Sequence, residues 1–136
     1  GATAFRLVQA AVIGASLPLL HAAITLAGTP GAAPMAAEAL ARHGFAYDIG
    51  LMFFGVNSVL TGVLVARTGG IGRWLGPGLM VAGAVYLTGS TLRIVAPGAV
   101  EAFAPAYGLC VLAETAVCVW LLAGGAWRPA RRAAVA

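Results

Sequence analysis

Apolar residues run along this chain in four long blocks, at 4–27, 45–66, 74–95 and 103–122, with few charges inside them. An α-helix needs about 20 apolar residues to cross the ~30 Å of hydrocarbon in a bilayer, and each block reaches that length. None shows a confined apolar stripe, and a helix that is apolar all round has no water-facing side. The breaks between blocks are firm: GTPGAAP at 28–34, Gly69-Gly70 after Arg67, Pro97-Gly98 after the third block and Gly124-Gly125 after the fourth. Pro18 falls inside the first block, where a membrane helix tolerates a kink and a freed carbonyl at Gly14. The segment 35–43 is too short to span. It predicts a separate helix resting on the membrane surface, with Glu38 and Arg42 paired at i, i+4. The pattern thus predicts an all-α, integral membrane four-helix transmembrane bundle, forming one domain over 1–136.

Composition agrees with that solvent. Hydrophobic residues make up 61% of the 136 and charged residues 9%, against about 25% charged in a typical soluble domain. Mean hydropathy is +0.95. All eight basic residues are arginine, and they stand at the ends of apolar runs without a patch of interleaved aromatics, which excludes a nucleic-acid partner. With four spans, Arg6, Arg67, Arg73, Arg128, Arg131 and Arg132 fall on one side. Arg42 and Arg93 fall on the other, offset by Glu38, Asp48 and Glu101. The positive-inside rule then puts both termini in the cytoplasm (N-in/C-in), with the chain in the inner (cytoplasmic) membrane. Trp74, Trp120 and Trp127 lie near the same face and fit an interfacial aromatic belt.

Against so apolar a background, the polar residues stand out by depth. Glu114 and Asn57 each lie about a dozen residues into their spans, near the bilayer centre, where an unpaired carboxylate costs several kcal/mol. They are expected to face the bundle interior and meet each other. Gln9 is expected to bond a neighbouring helix, with Arg6 beside it snorkelling to lipid phosphates. Asp48 opens the second span where Arg93 closes the third, so an ion pair between them on the outer side is geometrically allowed. His21 reads as a buried, hydrogen-bonded histidine. With His43 in a link as its only companion it offers no metal-ligand spacing, so neither a metal nor any other cofactor is expected. Cys110 and Cys118 are eight positions apart and read as small packing residues. Glycines and alanines at four-residue spacing (Gly62/Ala66, Ala84/Thr88, Gly50/Phe54) fit close helix packing. No nucleotide-binding loop, metalloprotease motif or nucleophilic triad is present.

The segments FRLVQAAVIG (5–14), FFGVNSVLTGVLVARTGGIGRWLG (53–76), YLTGSTLRIVAPG (86–98) and LAETAVCVWLLAGG (112–125) together resemble the DUF4386 family of uncharacterised multi-span bacterial membrane proteins. The resemblance implies six spans, of which these are the last four, so two more helices are expected upstream of Gly1. Family members commonly carry histidine where this chain has Asn57, and Gly-Glu where it has Ala113-Glu114. The resemblance implies a fold and no activity.

Three functions fit these residues. Small size and short loops favour a structural or accessory subunit of a larger membrane complex, without catalysis of its own, whose partners are membrane lipids and other membrane subunits or further copies of itself. The next reading is a small transporter or channel with Glu114 and Asn57 on a polar path. The third is an intramembrane enzyme or lipid-binding protein, with titratable groups converging on a lateral cleft.

Overall fold

The computed structural model describes residues 2–125, in which every element is helical: α1 (Ala2–Ala27), α2 (Ala33–Arg67), α3 (Gly72–Val95), the short α4 (Val100–Phe103) and α5 (Tyr107–Leu122). Single 3-10 turns at Pro97–Ala99 and Ala104–Ala106 flank α4. Four helical segments are long and apolar enough to cross a membrane, the last being the continuous path Pro97–Leu122. The turn at 68–71 is tight, and Gly69 and Gly70 adopt φ of 75° and 54°, a conformation that glycine adopts without strain. Arg67 and Arg73 flank this turn and mark the arginine end of the bundle. The segment 96–106 caps the opposite end. Arg128, Arg131, Arg132 and Trp127 lie outside the described residues.

Neighbours in sequence are neighbours in space and antiparallel. α1 packs on α2, α2 on α3, and α3 on α5, while α1 and α5 make at most marginal contact. The helices therefore form a row with an open flank between its two ends. Glycines set the tightest seam. A Cβ on Gly76 would lie 2.5 Å from the Gly62 carbonyl oxygen, and one on Gly83 would lie 2.6 Å from that of Gly55. Both helices repeat glycine at seven residues, so two backbone-to-backbone approaches stack along one line. In lipid such close approach replaces the hydrophobic effect as the force between helices. Of the four-residue spacings read from the sequence, Gly62/Ala66 lies in this seam and Gly50 meets Ile13 of α1. Ala84 and Thr88 are exposed.

Two expectations need correction. The segment 35–43 is the start of α2, which runs unbroken for 35 residues. Pro34 sits at the helix start, where its missing N–H costs nothing, and the lone Gly44 only weakens the helix. Glu38 and Arg42 do pair at 2.6 Å on its exposed surface.

The second correction concerns register. Phe5 stacks near Phe53, and Gly50 meets Ile13, so α1 begins level with the middle of α2. Asp48 meets Arg93, two residues before the end of α3, so α3 ends near the level of Ala46. The α1–α2 hairpin therefore extends past α3 by roughly twelve residues, or ~18 Å. Arg6 consequently lies about 20 Å along α2 from Arg67. It belongs to the middle of the bundle and not to the arginine end where charge counting placed it.

Candidate functional site

Because α1 and α5 stay apart, the face of α2 between them is uncovered, and a cavity of about 660 Å³ lies over it. α2 supplies the floor along one helical stripe: His43, Gly44, Tyr47, Asp48, Leu51 and Phe54. Gln9 enters from α1, Tyr86 and Arg93 from α3, and Tyr107 from α5. The chain has three tyrosines, and all three line this space.

The rim at the capped end is held by an ion pair. Arg93 Nε donates to Asp48 Oδ2 at 3.0 Å. The two partners differ in exposure: the Asp48 side chain is 4% exposed and that of Arg93 52%. The Tyr107 hydroxyl stands beside Arg93. Tyr107 in turn fits against Gly89, where a Cβ would collide with its hydroxyl. Asp48 and Arg93, which the sequence made possible partners, are thus brought together.

At mid-height the cavity ends on aromatic rings. Phe54 and Tyr86 meet edge to face at 5.0 Å, and Tyr86 lies 5.8 Å from Tyr107. The Arg6 guanidinium sits 4.9 Å above the Phe54 ring, a cation–π arrangement. Beyond these rings the Tyr86 hydroxyl stands beside Glu114, whose Oε1 is buried with no hydrogen-bond partner. Arg6 is close enough to bear electrostatically on the same carboxyl. An Arg–Asp pair at the rim and an opposed Arg6–Glu114 couple below the floor therefore bracket the cavity.

The intramembrane polar residues are distributed differently from expectation. Glu114 stands beside Tyr86 of α3, the helix on which α5 packs. Asn57 is buried on α2, on the face that Gly50 and Phe53 turn toward α1, and is not a wall of the cavity. Gln9 does line it. His21 is exposed on α1 rather than buried. The histidine tied into the bundle is His43, whose Nδ1 lies 3.1 Å from the Ser16 carbonyl oxygen. A carbonyl only accepts, so Nδ1 carries the proton and Nε2 is the acceptor in the neutral ring. Cys110 is buried and its thiol donates to the Ala82 carbonyl at 3.6 Å, whereas Cys118 is exposed. Among the described residues no cluster of three or more His, Cys, Asp or Glu is placed to hold a metal.

Sequence reasoning missed Tyr47, Phe54, Tyr86, Tyr107 and His43. The signal was there: Tyr86 sits well inside an apolar block, away from the interface where tyrosine usually settles. Buried tyrosine usually finds a hydrogen-bond partner for its hydroxyl.

No curated protein and no solved structure matches the chain. The family model described as a domain of unknown function, DUF4386, matches residues 1–125. The chain, a multi-pass membrane protein of bacterial type with four membrane-length helices, belongs to the DUF4386 family.

Proposed function

We propose that this protein binds, and in the membrane translocates, a small organic solute in the cavity between α1, α2, α3 and α5. The observation that carries the reading is the gathering of Gln9, His43, Tyr47, Asp48, Tyr86, Arg93 and Tyr107 around one space of about 660 Å³. Ligand sites commonly occupy 300–1,000 Å³, with apolar walls and a few convergent polar groups. Ionisable side chains at membrane depth are costly and mark substrate paths more often than scaffolding. The path differs from the one the sequence suggested, since Tyr86 stands between the cavity and Glu114. We place both termini on the cytoplasmic side of the cytoplasmic membrane, on the strength of Arg67, Arg73 and the arginines beyond residue 125.

Accessibility tests the reading directly. With Cys110 and Cys118 replaced by alanine, a cysteine at Leu51 should react with a small, charged, water-soluble thiol reagent. One at the lipid-facing Leu64 should not. A Leu51 cysteine as inert as the Leu64 cysteine would mean a sealed polar cluster, and the reading would fall.

An accessory-subunit role keeps support from one feature, the open flank between α1 and α5. A helix of another subunit, or of a second copy, seated there would cover the cavity. Such a partner would make the Leu51 cysteine reactive only after dissociation of the complex.

A further inference from the structure

We infer that the ligand of this cavity is an organic oxyanion, a carboxylate or phosphate carried on an apolar body, with Arg93 as its anchor; the inference rests on the binding role proposed above. Orientation of the Asp48–Arg93 pair decides the sign. Formally the pair is neutral, but Asp48 is 4% exposed and Arg93 52%. The carboxylate is sunk into the helix packing and the guanidinium faces the open space, so the pair presents its positive end to the cavity. Asp48 engages Nε of the guanidinium. A guanidinium has five N–H donors, and its planar fork matches the paired oxygens of a carboxylate or phosphate.

The surrounding groups extend the same preference. The Tyr107 hydroxyl stands beside Arg93, and Gln9 and Tyr47 bring further donors to the wall. The second carboxylate of the region, Glu114, does not line the cavity. It stands beyond Tyr86 with Arg6 near it. Nothing comparable offers a cationic ligand an exposed carboxylate. The size of the space and the ring row Phe54–Tyr86–Tyr107 leave room for more than an inorganic ion. They suit an apolar body below the headgroup.

The test uses the full chain in nanodiscs of neutral lipid and four probes of one chain length: decanoate, decyl phosphate, decanol and decylammonium. Decanoate and decyl phosphate should bind more tightly than the other two. Arg93→Gln should weaken both anions at least about tenfold, the usual worth of a hydrogen bond to a charged group. Decanol binding should fall by a smaller factor, and an unchanged far-UV circular dichroism spectrum in the nanodisc checks that the variant is folded. Arg93→Lys, which keeps charge and loses the fork, should fall between. Decanol or decylammonium binding as tightly as decanoate would overturn the oxyanion assignment and leave the cavity reading standing. If none of the four bound, the cavity reading would fall with it. Acetate and inorganic phosphate separate the sources. Displacement of decanoate by either at comparable affinity points to a soluble anion, and a requirement for the chain points to one partitioned from lipid. A loss of decanoate binding in Arg93→Gln no greater than that of decanol would refute Arg93 as the anchor.

Discussion

The glycine seam between α2 and α3 gives the sharpest quantitative expectation, because sterics and helix propensity pull in opposite directions there. In Gly76→Ala the added Cβ would lie 2.5 Å from the Gly62 carbonyl oxygen and 2.6 Å from both the Ala66 nitrogen and its Cβ. These atoms are backbone or the first side-chain carbon, so none can swing aside. Reaching ordinary van der Waals separation requires the helices to part by roughly 1 Å, and overpacking of this kind costs about 1–3 kcal/mol. Alanine is worth about 1 kcal/mol more than glycine inside a helix, which offsets part of that loss. The net expectation is destabilisation of roughly 0–2 kcal/mol. Gly108→Ala supplies the contrast. A Cβ there meets nothing within 4 Å, so only the propensity gain operates and the variant should be slightly more stable than the parent. Reversible unfolding in mixed micelles, followed by far-UV circular dichroism as denaturing detergent rises, measures both. The double variant Gly62→Ala with Gly76→Ala should lose more than either single change. If Gly76→Ala were stabilised as much as Gly108→Ala, the close approach of α2 and α3 would be wrong.

Removing Arg93 while keeping Asp48 should destabilise the bundle, though by less than the ~3–5 kcal/mol typical of a fully buried pair, since Arg93 is half exposed. Adding Asp48→Asn to Arg93→Gln should recover part of the loss, and a double-mutant cycle by the same unfolding measurement checks it. Tyr86→Phe removes the hydroxyl beside Glu114 and should cost about 1 kcal/mol; an unchanged midpoint would deny that hydroxyl a structural role. Ser90 is fully buried with a hydroxyl that has no partner, so Ser90→Ala should be neutral or stabilising, and a fall in the unfolding midpoint would contradict this. Cysteines placed at Thr68 and at Ala99 should label from opposite sides of intact cells, Ala99 from outside. Reaction from one side would break the four-span orientation.

The sequence by itself determined the solvent and the four membrane-length helices, though not that α2 runs on through 35–43. Apolar blocks bounded by Gly-Gly and Pro-Gly need no tertiary information, because in a bilayer every backbone N–H and C=O must be satisfied within its own helix. It also brought Asp48 and Arg93 within reach, since both lie at the ends of adjacent antiparallel spans. Tertiary structure alone decided rotation and stagger. An evenly apolar helix carries no stripe to say which face turns inward, so His21 and His43 exchange the roles their positions suggested. Only packing set Tyr86 of α3 beside Glu114. Stagger was equally hidden. Loop length sets which helices are neighbours, but their axial register comes from close contacts at glycine, such as Gly76 on the Gly62 backbone and the Ile13 side chain on Gly50. That register moves Arg6 from the arginine end to mid-height, against the Phe54 ring. It was illegible because small residues recur throughout the chain, and only packing selects which of them meet.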